Sequence, residues 1–102
     1  MSRRANRDLL FRTTCVTFYV DTPHRHAVFL FLWSELIEEH LVEHGATPDE
    51  FEAVVCGPES VDISRSSGRE IAFGEVNGRF LACVYEMLDE STVLPVTAYE
   101  VE

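Results

Sequence analysis

Residues 68–98, GREIAFGEVNGRFLACVYEMLDESTVLPVTA, decide the fold of this 102-residue chain. Within them, Glu70–Val76 alternates apolar residues with small or polar ones, which is the period-2 pattern of a strand with one buried face. The pair Asn77-Gly78 follows at once and readily supplies the two positive φ angles of a tight hairpin turn. Residues 80–87 are nearly continuously apolar, and residues 93–98 are again apolar and β-branched after a polar loop. The stretch therefore predicts an antiparallel meander of three strands.

Two helices are predicted before this meander. Ser34 is a suitable N-cap for the first helix, and Gly45 suits the left-handed position after its end. Thr47 and Glu50 have the spacing of a capping box, which predicts a second helix over residues 48–55. The first helix is expected to bury one stripe of residues at spacings of three and four: Leu36, Ile37, His40, Leu41 and His44.

Shorter strands are predicted over residues 15–20, 27–33 and 61–64. Together with the helices and the meander, they give an α+β fold class, with two N-terminal helices packed on one face of an antiparallel, meander-type β-sheet. Residues 1–26 are predicted to be a basic arm, for which disorder is one interpretation. A single α+β domain is predicted over residues 27–102.

The charge of the chain is strongly acidic and unevenly distributed. It has 18 Asp and Glu against eight basic residues, all of them Arg, and a formal net charge of −10. Five of the arginines fall in the first 30 residues, so the remainder has three Arg against sixteen Asp and Glu. Such a body repels phosphate backbones and attracts basic partners.

The cysteines and the apolar runs indicate the cellular compartment of the protein. Cys15, Cys56 and Cys83 are odd in number and have no CxxC spacing, which favours reduced, buried thiols and a cytoplasmic protein. The longest apolar run, residues 27–33, is too short to span a bilayer. We therefore expect a cytoplasmic protein that makes no membrane contact.

A small anion-binding site is the first candidate for function. The basic residues of the acidic body flank the meander, and guanidinium groups bind phosphate through paired hydrogen bonds. These residues are Arg65, Arg69 and Arg79. The alternative is that each pairs with a carboxylate on a neighbouring strand, such as Asp62, Glu70 or Glu75.

A metal site is a weaker candidate. His40 and His44 stand in an H-x-x-E-H string, and two His residues at i and i+4 share one helix face. Zinc enzymes of that type need a third protein ligand and a substrate cleft, and His also suits the C-terminal end of a helix. We expect no metal site and no cofactor.

Four short motifs carry a resemblance to a known family: HGATPDEF at 44–51, SSGREIAFG at 66–74, GRFLACVY at 78–85 and VTAY at 96–99. Through them, residues 33–99 resemble the BrnT-type toxins and their relatives in the RelE-like ribonuclease toxin superfamily. The resemblance implies a small cytoplasmic α+β protein, an antitoxin partner and metal-independent RNA cleavage. It implies catalytic roles for Arg69, Arg79, Tyr85 and His44. If the protein cleaves RNA, we expect Arg65, Arg69 and Arg79 to bind phosphate.

The chain departs from the toxins at places that matter for RNA. Where they usually carry Arg in and just after the last strand, this chain has Leu94-Pro95 and Tyr99. We therefore keep two functional predictions. One is a toxin–antitoxin-related ribonuclease, and the other is a non-catalytic acidic module that docks a basic protein partner.

Overall fold

The computed structural model describes residues 12–19 and 26–101, which contain six strands and two helices. In chain order these are β1 Arg12–Tyr19, β2 His26–Trp33, α1 Glu35–Glu43, α2 Pro48–Cys56, β3 Ser60–Ile63, β4 Glu70–Val76, β5 Arg79–Met87 and β6 Thr92–Glu100. The protein is an α+β fold with both of these helices on one face of a single sheet.

The strands form a mixed sheet in the order β1-β2-β6-β5-β4-β3. β1 and β2 form an antiparallel hairpin pair, and β3, β4, β5 and β6 pair antiparallel with their neighbours. β2 and β6 pair in parallel, through Leu30 opposite Thr92 and Phe31 opposite Val93. The amide of Leu30 also donates to the carbonyl of Ser91 at 2.7 Å.

The predicted antiparallel sheet with two N-terminal helices is therefore wrong in two respects. Two strands precede the helices, because β1 and β2 form the hairpin that occupies one side of the sheet. The sheet is mixed because α1, α2 and the next three strands bring the chain back to β2 in the same direction. A parallel pair requires such a long crossover connection, and strand periodicity alone does not reveal it.

The meander itself is confirmed. β4 has the predicted bounds, and β5 and β6 extend those predicted by one or two residues at their ends. Asn77 (φ 52°) and Gly78 (φ 80°) adopt the two left-handed conformations expected for the turn between β4 and β5. A shift of register between Val84 and Tyr85 interrupts the pairing of β5 with β6.

The predicted helix caps are confirmed as well. The Ser34 hydroxyl accepts from the amide of Ile37 at 3.2 Å, and Gly45 follows the helix with φ 83°. Thr47 and Glu50 form the reciprocal capping box at the start of α2. The predicted apolar stripe of α1 is wrong for three of its members, since Leu36, His40 and His44 are exposed. Only Ile37 and Leu41 contact the core, so α1 covers the sheet with a narrow side.

An aromatic cluster fills the space between helices and sheet. Trp33 and Phe51 pack edge to face with ring centroids 5.3 Å apart, and Phe31 contacts both rings. The indole Nε1 of Trp33 donates to Glu52 on α2 at 2.7 Å, and the hydroxyl of Thr14 on β1 donates to the same carboxylate oxygen. These bonds connect both strands of the hairpin to the second helix.

α2 lies close to the middle of the sheet. A Cβ at Gly74 on β4 would stand 3.4 Å from the side chain of Val54, in van der Waals contact, so α2 packs directly on this strand. The strand partners in the centre, Leu81 and Cys83 on β5, are fully buried beneath the helices.

The opposite side of the sheet carries no helix in the described residues. We call it the open face and define it by six half-buried side chains that alternate with the buried ones: Leu30, Ile71, Phe73, Phe80, Val84 and Leu94. The rings of Phe73 and Phe80 stack on this face with centroids 6.4 Å apart. None of the six packs against the buried core.

The predicted basic arm over residues 1–26 is described only in part. Its residues 12–19 form β1, whereas residues 1–11 and 20–25 lie outside the described residues. In the described part of the chain, neither helix is long and apolar enough to cross a bilayer.

Candidate functional site

Arg79 lies on the helix side of the sheet, at the start of β5. Its Nη2 donates to Oε1 of Glu50 at 2.7 Å, and its Nη1 lies 3.9 Å from Glu100 on β6. Glu50 belongs to the capping box of α2, so the guanidinium group joins the N-terminus of a helix to the meander. The ion pair partly neutralises the cation.

Glu50 is the centre of a small polar network. Besides Arg79, its carboxylate accepts from Nδ2 of Asn77 at 2.9 Å and from the backbone amide of Thr47 at 3.1 Å. These hydrogen bonds, above all that of Asn77, hold the pKa of Glu50 below its ordinary value, although burial acts in the opposite direction. The side chain is 8 % exposed and is the one buried charged residue among those described.

Arg69 lies on the other side of the sheet. Its Nε donates to Oε2 of Glu86 at 2.8 Å, and both side chains are about 40 % exposed. Residues 69, 71 and 73 alternate with the buried Ala72, which places Arg69 on the side of the open face.

Arg65 belongs to the loop between β3 and β4. The loop is held by the amide of Ser64, which donates to the carbonyl of Arg69 at 2.8 Å, and by Gly68, whose amide donates to the carbonyl of Ser64 at 2.8 Å. Gly68 has φ 77°, in the left-handed region. Arg65 is exposed and, within residues 12–19 and 26–101, makes no ion pair.

The structure therefore separates the predicted phosphate-binding residues. Arg65 and Arg69 belong to the loop before β4. Arg79 lies just beyond the turn that follows β4, on the opposite side of the sheet from Arg69. Two of the three are paired with carboxylates, at Glu86 and Glu50. These carboxylates are 17 and 29 residues away in sequence, and neither is among the acids that the sequence analysis named as partners.

Tyr85 is buried beneath the helices. It is 5 % exposed, and its hydroxyl donates to Oε1 of Glu70, its cross-strand neighbour, at 3.1 Å. Burial, and then the nearby Glu70 carboxylate, raise the pKa of Tyr85 above its ordinary value. The phenol therefore donates its hydrogen bond to the protein itself, at Glu70.

His44 terminates α1 as its C-cap. Its backbone amide donates to the carbonyls of His40 and Leu41, and its ring stands 4.5 Å from that of His40. Both imidazoles are exposed. Among the described residues no three His, Cys, Asp or Glu side chains are grouped closely enough to hold a metal ion. His44 is far in the chain from Arg69 and Tyr85, and among the described residues no hydrogen bond or ion pair joins it to either.

The residues that sequence reasoning missed lie on the exposed side of α1. Five of them line a shallow groove, which we call the acidic face of α1: Glu35, Glu38, Glu39, Val42 and Glu43. Val42 is 63 % exposed, and the neighbouring Leu36 is 78 % exposed. The spacing of 35, 38, 39, 42 and 43 follows the helical repeat, so the periodicity that was read for an apolar stripe also marked an acidic one.

Comparisons with models of protein families, with curated proteins and with solved structures find no match to this chain.

Proposed function

We propose that this domain is a non-catalytic binding module that docks a basic protein segment on the acidic face of α1. The observation that carries the proposal is the composition of this face. Four glutamates surround Val42, and the exposed Leu36 lies beside them. An apolar contact bordered by charges of one sign suits an amphipathic partner with Arg or Lys around one or two apolar residues.

The charge of the whole chain supports the same partner. A net charge of −10 steers a cationic segment toward the protein and keeps nucleic acid away from it. Two of the described cations, Arg69 and Arg79, are occupied by Glu86 and Glu50, which leaves Arg65 as a single exposed cation on the acidic body. A basic antitoxin of the kind that the resemblance implies has this chemistry.

Charge reversal on the acidic face tests the proposal. The probe is a fluorescent helical peptide with Leu at spacings of three and four residues and Lys at the remaining positions, and anisotropy reports its affinity. Glu39→Lys/Glu43→Lys should weaken binding about tenfold or more, because two attractive charges become repulsive at the contact. The matched control is Glu59→Lys/Glu90→Lys, which changes the net charge equally at two exposed positions elsewhere.

The control should weaken binding by no more than about threefold, through the general loss of negative charge. Equal losses in the two double variants would mean that the peptide responds only to net charge. The docking surface would then not be the acidic face of α1, and the proposal would fail.

A ribonuclease of the toxin type is the second candidate function. It is favoured by Arg65, which is exposed in a loop with Ser66 and Ser67 and has no ion-pair partner in the described part of the chain. Induced expression in a bacterium should then arrest growth, and Arg65→Ala should relieve the arrest. Arg79→Ala is a poor test, because it would leave Glu50 buried without its cation and so destabilise the fold.

The two candidates predict different results from the same expression experiment. Growth arrest with RNA cleavage by the wild type, relieved by Arg65→Ala, would overturn the non-catalytic proposal. If the wild type causes no growth arrest when it is expressed, the ribonuclease function is excluded.

A further inference from the structure

We propose that the open face of the sheet is the contact surface of a homodimer, in which two copies pack sheet against sheet. An antiparallel sheet with one face in water normally alternates apolar and polar residues. Here Ile71 and Phe73 on β4, Phe80 and Val84 on β5, Leu94 on β6 and Leu30 on β2 continue the apolar pattern across four adjacent strands.

These side chains form one surface because of the strand register. Ile71 lies opposite Val84. Leu94 lies opposite Glu86, which is two residues after Val84 and therefore on the same side of β5. Phe73 and Phe80 stack on one another across β4 and β5. A continuous apolar surface of this kind on a monomer marks an interaction site more often than it marks chance exposure.

The size of the surface suits a dimer. With strands ~4.8 Å apart and ~3.3 Å of rise per residue, the four strands β2, β6, β5 and β4 give a face of roughly 500 Å² per copy. Two such faces would bury roughly 1,000 Å² in total, about the minimum for a specific interface. Two sheets packed in this way stand ~10 Å apart, with interdigitating side chains.

The distribution of charge favours a second copy of the same chain as the occupant. Two molecules of net charge −10 repel each other unless the contact itself carries little charge. The open face meets that condition. The Glu86 carboxylate is paired with Arg69 at 2.8 Å, and Glu75 is the remaining acid of β4 and β5 on that side, placed next to the turn. A basic partner would find little to attract it in the middle of this face, because Glu75 and Asp62 lie toward its margins. An identical apolar surface is complementary to it through a twofold axis.

The test is the molar mass of the full-length protein in solution. Light scattering or sedimentation at about 100 μM chain should give twice the 11.6 kDa of one chain. Val84→Glu places a charge in the middle of the contact and should give a monomer at that concentration, because an unpaired carboxylate cannot be buried between two sheets. The control, Leu36→Glu, adds the same charge at a position that is 78 % exposed on α1 and should leave the dimer intact.

A second variant keeps the test decisive if Val84→Glu fails to fold. Tyr99 is 43 % exposed and stands opposite Ala82 on the same side of the sheet, so Tyr99→Glu fits the monomer without strain. It should weaken the dimer at least tenfold. A monomeric wild type, a dimer that survives both open-face variants, or a dimer that Leu36→Glu abolishes would each overturn the proposal. If the wild type is a monomer, the open face is a contact surface for a different protein or for another part of the chain.

Discussion

Glu50 is the residue on which the local electrostatics of this protein depend. It completes a capping box, receives the side chain of Asn77 and binds Arg79, so the start of α2 and the turn between β4 and β5 meet at one buried acid. Sequence patterning predicted its role in the cap, because capping boxes depend on residues three apart. The contacts with Asn77 and Arg79 span 27 and 29 residues and required the folded sheet.

Glu50→Gln should therefore make stability less dependent on pH. The folded-state pKa of Glu50 is lowered, so its carboxylate stabilises the fold above the ordinary value of 4.5, and this contribution is lost as the pH falls through the lower folded value. At pH 7 the variant should lose roughly 1–3 kcal/mol of unfolding free energy, since an uncharged amide replaces the partner of Arg79. At about pH 3 the difference between variant and wild type should be smaller.

Urea unfolding at the two pH values measures this difference. Glu59→Gln, at an exposed position with no side-chain hydrogen bond among the described residues, is the matched control and should track the wild type at both. An equal loss for Glu50→Gln at both pH values would show that packing, and not charge, accounts for its effect.

The positions of single residues also explain why the three arginines of the predicted anion site lie apart. That Arg65, Arg69 and Arg79 flank the meander was readable from the sequence, and pairing with carboxylates was one of the two interpretations. Which carboxylate each would meet depended on the sides of the strands. Arg79 precedes the buried Leu81 by two positions and faces the helices, whereas Arg69 precedes the open-face Ile71 by two. Two residues on opposite sides of one sheet cannot bind a common phosphate.

At the scale of elements, local signals predicted most of what is observed. The two N-caps, the glycine after α1 and the Asn77-Gly78 turn all act within four residues, and each was found where the sequence placed it. The pairing of β2 with β6 joins residues about 60 positions apart through two register pairs, and no local pattern records it. The prediction of which residues of α1 face the core was also wrong for Leu36. Its side chain is apolar like that of a core residue, but it lies outside the contact with the sheet.

The cap of α2 should contribute measurably to stability. Thr47→Ala removes the hydroxyl that accepts the amide of Glu50 at 3.2 Å and should cost about 1 kcal/mol of unfolding free energy. Thr47→Ser keeps an acceptor at the same place and should remain within about 0.5 kcal/mol of the wild type. Chemical denaturation followed by the fluorescence of Trp33, the one tryptophan of the chain, measures both. A loss as large for the serine variant as for alanine would assign the effect to the lost methyl group.

At the scale of the whole molecule, the buried thiol of Cys83 reports on opening of the sheet. The side chain is fully buried on β5, and burial, with a smaller contribution from the charge of Glu50, raises its pKa to about 12. Both conditions suppress the reactive thiolate. Cys83 should therefore react with a thiol reagent only when β5 separates from the helices.

A variant in which Cys83 is the sole thiol, Cys15→Ser/Cys56→Ser, makes this measurable. Its reaction with a disulfide reagent should be on the order of 10³-fold slower than that of a small free thiol, and low urea should accelerate it along with unfolding. Modification at the rate of the free thiol would mean that β5 separates locally from the helices in the folded protein.

The parallel seam between β2 and β6 also has a consequence for synthesis on the ribosome. Phe31 emerges early, but its strand neighbour Val93 is translated about 60 residues later. Until then the edge of β2 that meets β6 has no partner, and such long-range pairing is slow to form. We expect the parallel pairing to form among the last events of folding, and a holdase chaperone that protects β2 during translation would influence how much native protein a cell obtains.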